Sequence, residues 1–458
     1  MNPKINQSLG KVLVIGAGLA GSEASMYLAR RNVKVVLVEN KTIKKNPAQK
    51  LSAFAELVCT NSLKSMEPAT GHGVLKHEMR GLGSLILEVG EEAKVPAGGA
   101  LAVDREKFSN LVTSRLKEHP NIKIVEKEAE DPLAMMEEFN CDQVIVATGP
   151  LTTEKLSQWI VQNVGKEDFY FYDAIAPVVE ADSLDYSKLY FKDRHKEADE
   201  SADYLNAPMG REQYYAFVEA LRGAQKVPAQ SFEDYKFFEA CLPVDLMAER
   251  GVDTPRFSCM KPIGLRMEDG TEPYAVVQLR KENLLGSAFN LVGFQTRLTY
   301  PEQKRVFRMI PGFENATFAH LGSVHRNSFL NSGKLLNFDL SSKEYPKLSF
   351  AGQITGVEGY TESSSMGLYA GLQVYQKLRG EESIKFPKET AMGALINYIM
   401  TAAKPAPSNI NFGLMPSVEL SKEQRRNKNR KKIKKELAAD KAREAFDQLA
   451  KDNKELFC

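Results

Sequence analysis

The chain has 458 residues, 43% of them hydrophobic and 26% charged, an ordinary globular composition with room for two domains, or for one large domain carrying an insertion. A net charge of +2 gives no overall electrostatic signature of a nucleic-acid partner, and no apolar run of about 18 residues is present to cross a membrane. Five cysteines, Cys59, Cys141, Cys241, Cys259 and Cys458, are odd in number and form no CxxC pair, which argues against a disulfide framework or a zinc site.

The first ten residues are polar and lack an apolar signal core, so a cytosolic location is expected. Lys11 to Asn40 then reads as one strand–helix–strand unit. Val12-Leu13-Val14-Ile15 is the continuous apolar run of a parallel strand covered on both faces. Gly16-Ala17-Gly18-Leu19-Ala20-Gly21 follows directly, and Ala20, Ala24, Tyr27 and Leu28 share one helical face. Val33 to Val38 is a second apolar strand ending at Glu39. This is the GxGxxG dinucleotide fingerprint in its structural context. The glycines permit a tight turn and close approach of backbone to a pyrophosphate, and the helix start offers that anion unpaired N–H groups. Glu39 is placed to accept hydrogen bonds from an adenosine ribose.

Further along, Asp142 to Ala147 is a strand running into Thr148-Gly149. Leu348 to Ala351 is a late strand ending at Gly352-Gln353, which leads through Gly356, Glu358 and Gly359 to an expected helix start at Met366-Gly367. A strand ending in Ala-Thr-Gly, with a late strand–glycine–helix element, resembles the FAD-binding domain of two-dinucleotide flavoproteins, so FAD is favoured over NAD as the held cofactor. Between these parts the texture changes. Ser183 to Pro228 is rich in Asp, Lys, Glu and Tyr, and Ala275 to Leu279 has the register of an antiparallel strand. The expected architecture is α/β. A Rossmann-like FAD-binding domain of the two-dinucleotide flavoprotein type occupies 1–180 and 331–458, and a mixed α+β insertion domain occupies 181–330.

The tail is biased in composition. Lys422 to Lys435 holds nine Lys and Arg against one acid, Glu423. Ile433, Leu437, Phe446 and Leu449 recur at near-helical spacing, predicting an amphipathic helix with a basic face over about 421–458. That face is either a solvated cap or a contact for RNA phosphates. His72 and His77 are five apart with no third ligand nearby, so no metal site is expected.

Longer segments carry a more specific resemblance. Phe54-Ala55-Glu56-Leu57-Val58-Cys59-Thr60-Asn61-Ser62-Leu63, Glu239-Ala240-Cys241-Leu242-Pro243 and Met260-Lys261-Pro262-Ile263-Gly264-Leu265 are three of them. Tyr274 to Arg280, Asn290 to Thr296, His325-Arg326-Asn327 and Ala351 to Tyr360 are others. Together they are similar to the folate/FAD-dependent tRNA (uracil-5-)-methyltransferase family, TrmFO-type, across nearly the whole chain. Ala207, Ser258-Cys259 and Thr361 to Ser365 depart from the family's pattern.

The resemblance implies an enzyme that forms 5-methyluridine in the T-loop of tRNA. Methylenetetrahydrofolate is the carbon donor, and FAD recharged by NADH or NADPH is the reductant. It implies Cys241 as the nucleophile toward uracil C6 and Cys59 as a second functional thiol beside the flavin. His325, Arg326 and Asn327, a polar triplet between apolar stretches, are expected to face the flavin or folate. Lys261, Arg280 and Arg297 are candidates for holding folate carboxylates or RNA phosphates. The alternatives are the same chemistry on a uridine of 23S ribosomal RNA, and a non-catalytic FAD- and RNA-binding factor.

Overall fold

A computed structural model describes residues 8–46, 49–165, 168–174, 176–194, 202–227, 242–267, 269–283, 285–322, 324–403 and 406–457; over 168–174 and 324–328 the description is of backbone alone. The apolar runs assemble as a five-stranded parallel sheet in the order Leu348–Phe350, Gln143–Val146, Lys11–Ile15, Lys34–Glu39, Ile122–Glu126. Val12, Leu13, Val14, Val144, Ile145 and Val146 are all fully buried, as strands covered on both faces must be.

Two helices, Leu19–Arg30 and Tyr360–Arg379, pack tightly on one another beside this sheet. Their approach is closest where small residues meet. A Cβ placed on Gly367 would lie 2.2 Å from the Ala20 carbonyl oxygen, and one on Gly371 would lie 3.2 Å from the Ala24 Cα. The late helix therefore starts at Tyr360, six positions before the expected start at Met366. The polar run Thr361 to Ser365 forms its first turns. The Ser364 and Ser365 hydroxyls donate to the helix's own Tyr360 and Glu362 carbonyls at 2.8 and 2.7 Å, and the Thr361 hydroxyl donates to the Leu63 carbonyl at 2.9 Å. Hydroxyls satisfied this way can be buried inside a helix at little cost.

A second core lies on a six-stranded antiparallel sheet in the order Tyr190–Phe191, Tyr204–Met209, Ala275–Lys281, Ala288–Leu291, Val178–Glu180, Phe318–His320. Ala275–Lys281 is antiparallel to both its neighbours. The Arg211–Gly223 helix buries Tyr214, Phe217, Val218 and Leu221 in this core. Asp168–Ala174 and Val324–Leu330 pair antiparallel as the two strands that lead into and out of it.

The tail forms the Arg430–Asp452 helix, but its docking face differs from the expected one. Ala439, Ala442 and Phe446 are buried, whereas Ile433 and Leu437 are only half-buried. Phe446 decides the register: it lies over Gly81 of the Gly71–Gly81 helix, where an added Cβ would be 2.6 Å from the ring.

Two fully buried carboxylates tie helix starts to the core. Glu23 accepts from the Leu85 and Ile86 amides at 2.9 and 3.2 Å and from the Ser84 hydroxyl, and Glu78 accepts from the Ala391 and Met392 amides at 2.5 and 2.8 Å. Burial outweighs these donors and pushes both pKa values up to about 8. An acid whose folded pKa is raised contributes stability that is full below its unfolded value and is lost as pH rises toward the folded one. The wild-type Tm is therefore expected to fall between pH values of about 5.5 and 8.5, and Glu78→Gln, scanned by calorimetry at both values, is expected to fall less. An equal fall in both proteins would show that Glu78 is charged throughout.

Candidate active site

The glycine-rich turn is built as the fingerprint requires. Gly16 has φ +100° and passes so close to the neighbouring strand's end that a Cβ would lie 2.7 Å from the Ala147 carbonyl. At Gly21 a Cβ would lie 1.8 Å from the Gly16 carbonyl, so the helix start and the turn interlock. Gly18 differs, since no described atom comes within 4 Å of the position its Cβ would take. That open space adjoins the first N–H groups of the Leu19–Arg30 helix. Glu39 sits at the rim, where one carboxylate oxygen accepts from the Ala17 amide at 2.7 Å and the other from the Asn40 and Lys41 amides at 2.9 and 3.0 Å.

The Ala-Thr-Gly turn lies directly beside the glycine turn, with the Thr148 Cα 3.0 Å from where a Cβ on Gly16 would be. Gly149 has φ +69° with no described atom near its Cβ position, and Thr148 and Thr152 share a hydroxyl hydrogen bond of 2.7 Å. On the late strand Gly352 has φ +81° against the Ala20 methyl. The Gln353 amide reaches the Glu358 carboxylate at 2.5 Å, and Gly359, with φ +106°, precedes the late helix. Gly367 lies within that helix, in contact with Ala20 rather than at an open turn. Helix-to-helix packing demands a glycine at this position.

Cys59 stands where these parts converge. Its segment is tied to the glycine turn by the Ala55 amide, which donates to the Ala17 carbonyl at 2.9 Å. It is tied to the late helix by the Tyr360 hydroxyl, which accepts from the Cys59 and Thr60 amides at 2.6 and 3.3 Å. Burial raises the Tyr360 phenol well above its ordinary pKa, so it stays protonated. The same segment is laced to the second core. Arg105 donates to the Leu57 carbonyl at 2.9 Å and pairs with Glu282. Asn61 donates to the carbonyls of Val103 and Lys281 at 3.1 and 3.0 Å. A cleft of about 600 Å³ opens beside it between the two cores, lined among others by Lys50, Val58, Arg105, Glu282, Tyr300 and Phe318.

Two expected ligand-holding cations are committed elsewhere. Arg280 is only 6% exposed and donates to Asn61 at 2.8 Å and to the Thr60 hydroxyl at 2.5 Å. Both contacts hold the Cys59 segment. Arg297 is paired with Asp245 at 2.6 Å and Glu249 at 2.7 Å. Lys261 is on the surface. His325, Arg326 and Asn327 lie on the Val324–Leu330 strand, described there by backbone alone, and Cys241 lies outside the described residues. Burial pushes the Cys141 thiol up to about 11 and the Cys259 thiol up to about 12, which leaves both protonated and unreactive near neutral pH. Asn61 and Tyr360 stand inside segments the sequence singled out without a role of their own; Arg105 carries no sequence signal at all. Arg280→Met is expected to cost about 2–3 kcal/mol, since it strips charged donors from the buried Asn61 and the half-buried Thr60 acceptors. It should leave RNA affinity unchanged; a weakened RNA complex with an unchanged Tm would return Arg280 to the ligand-binding set.

Among the described residues no group of three His, Cys, Asp or Glu side chains is placed to hold a metal, and no helix is long and apolar enough to cross a membrane. The open positions at Gly18 and Gly149, the rim carboxylate of Glu39 and the glycine before the late helix fit an extended dinucleotide. Such a fold and site define an FAD-type two-dinucleotide flavoprotein. The family model for glucose inhibited division protein A matches residues 11–382. A crystal structure of Aquifex aeolicus GidA shares the fold, with a TM-score of 0.68 at 16% identity, covering 98% of this chain and 75% of that one.

Closer in sequence are the methylenetetrahydrofolate–tRNA-(uracil-5-)-methyltransferases TrmFO of Desulfotalea psychrophila and Persephonella marina. The first is 48% identical over 415 residues, covering 90% of this chain and 92% of the relative. The second is 49% identical over 432 residues, covering 94% and 97%. The chain belongs to this TrmFO family.

Proposed function

We propose that the chain methylates C5 of a uracil in tRNA, giving 5-methyluridine in the T-loop, with methylenetetrahydrofolate as carbon donor. The carrying observation is near-complete coverage by TrmFO relatives about half identical to it, on a fold whose glycine turns leave room for a dinucleotide. Gly16 to Gly21 and Glu39 would hold the adenosine and pyrophosphate of FAD, with Thr148, Gly149, Gly352, Gln353, Glu358 and Gly359 around the rest. When bound and reduced by NADH or NADPH, FAD supplies the electrons that convert the transferred methylene to methyl.

The chain's own residues do the remainder. Uracil C5 is a poor nucleophile. The Cys241 thiolate adds to C6 and makes C5 an enolate carbon, which forms a bond to the folate-derived methylene as its C–N bond breaks. Loss of the C5 proton lets the methylene's remaining C–N bond break and release tetrahydrofolate, and once the methylene has gained a hydride, expulsion of the thiolate restores the C5–C6 double bond. Cys59, whose segment is tied to Tyr360 and the glycine turn, would be the second thiol and would take that proton or guard the first. The orientation of Cys59 rests on Arg105, Asn61 and Arg280, which hold its segment against the second core. The cytosol, where tRNA is modified, is the proposed location.

The test is transfer of labelled methylene from methylenetetrahydrofolate to RNA, with NADH or NADPH present and no S-adenosylmethionine. Unmodified tRNA and a 23S ribosomal RNA fragment are offered side by side. Label is expected as 5-methyluridine in tRNA. Label confined to ribosomal RNA would overturn the choice of substrate, and none in either from folded, yellow protein would overturn the reaction.

A further inference from the structure

The docking side of the Arg430–Asp452 helix changes character along its length. Lys432, Lys435, Ala439, Ala442, Phe446 and Leu449 alternate at spacings of three and four, which places them on one side of a helix. Ala439, Ala442 and Phe446 are buried and Leu449 packs against the main core. Lys432 and Lys435, on that same side, are exposed.

The reason is that the partner helix ends. Phe446 lies over Gly81, and Asp447 bonds to His77 at 2.9 Å. Arg443, a turn earlier, donates to the Pro68 carbonyl at 2.9 Å, just before the start of the Gly71–Gly81 helix. The two helices thus run in the same direction, and residues before Ala439 pass beyond the partner's first turn. From Arg430 to Ala438 this overhang is about 13 Å long at roughly 1.5 Å per residue.

The overhang is charged in a way the fold does not use. Nine cations and one acid give Lys422 to Lys435 a charge of +8 in a chain whose net charge is +2, so the rest of the chain is net acidic at −6. All nine cations are exposed. Among the described residues only Lys432 of the nine reaches a carboxylate, that of Glu436 at 3.9 Å. Lysines stacked at spacings of three and four repel one another and weaken an isolated helix. Ile433 and Leu437 are the large apolar side chains of this stretch and both are half-buried, too little for the broad apolar face that a helix lying in a lipid surface needs. A regular row of cations over an acidic body suits the evenly spaced phosphates of a nucleic-acid backbone.

We propose that the Lys431 to Lys435 end of this helix is a tRNA-binding arm whose lysines contact backbone phosphates; the choice of tRNA as the polyanion rests on the methyltransferase reading. The arm adds affinity without reading sequence, because phosphate contacts position a nucleic acid and carry no base information.

The test replaces Lys431, Lys432, Lys434 and Lys435 together by glutamine and leaves Ala439, Ala442 and Phe446 intact, with Tm and flavin content as checks of folding. Binding of an unmodified tRNA transcript is titrated over a range of salt concentrations without folate. The variant's affinity is expected to fall about tenfold or more, and its slope of log Kd against log salt should shrink by about two to three, at roughly 0.9 for each phosphate no longer neutralised. The matching set of four arginines should keep both. Unchanged affinity and slope in the glutamine protein would overturn the arm, as would wild-type protein that binds anionic phospholipid vesicles but not tRNA. A wild type that binds tRNA with this lysine-dependent slope yet transfers no label would sink the methyl-transfer reading and support the arm.

Discussion

Gly367→Ala is expected to lower stability by about 2 kcal/mol or more and to strip flavin from the protein, although alanine is the better helix former. In an ordinary helix interior the change would add about 1 kcal/mol. Here the new methyl would sit 2.2 Å from the Ala20 carbonyl oxygen and 2.7 Å from its Cα. Both obstacles are backbone, so no side-chain rotation relieves them. The two helices must part, and overpacking of this kind costs about 1–3 kcal/mol before any loosening of the neighbouring packing is added. The displaced element is the first turn of the Leu19–Arg30 helix, next to Gly16 to Gly21, so the dinucleotide site moves with it. The measurements are Tm and the ratio of flavin to protein after purification. Gly223→Ala is the control: it is a helical residue with no described atom near its Cβ position, and it is expected to be neutral or slightly stabilising. Equal behaviour of the two variants would mean that the helices are not packed through Gly367.

Cys241→Ala is expected to abolish methyl transfer while leaving the fold and the flavin in place. Without a thiolate at C6, C5 keeps the weak nucleophilicity of free uracil, and the loss should be on the order of a thousandfold or more, equivalent to about 4 kcal/mol of barrier. Flavin content, Tm and tRNA affinity should stay near wild type, because the change removes a reacting group and no anchoring contact named above. The assay is single-turnover transfer of labelled methylene to tRNA. Turnover near wild type would remove Cys241 from the C6 step and leave Cys59 as the remaining candidate thiol. Cys59 is already fixed between the glycine turn and the late helix through the Ala55 amide and the Tyr360 hydroxyl.

Sequence alone determined the parts whose cause is local. The continuous apolar runs at Val12 to Ile15, Val35 to Val38 and Val144 to Val146 are buried parallel strands. Gly16 and Gly21 stand where only a glycine fits, and Ala275 to Leu279 is antiparallel on both sides. In these, periodicity and steric demand are written within a few residues of where they act. Tertiary structure alone decided what depends on a distant partner. A cation's sequence neighbours do not say whether it will hold a ligand or a protein acceptor: Arg280 is spent on Asn61, 219 positions away, and Arg297 on Asp245, 52 positions away. Burying a guanidinium is tolerable only with its donors satisfied, and those acceptors exist only once both cores have folded together. Thr361 to Ser365 precede the helix start expected at Met366, and nothing local tells that their hydroxyls will be enclosed. Enclosed between the sheet and a second helix, they turn back onto carbonyls and become the start of the helix. In the tail, Ile433 and Leu437 carry the apolar spacing, yet it is Gly81 that admits the Phe446 ring, so the docked side is set by the partner's shape and the lysines before Ala439 are left facing solvent.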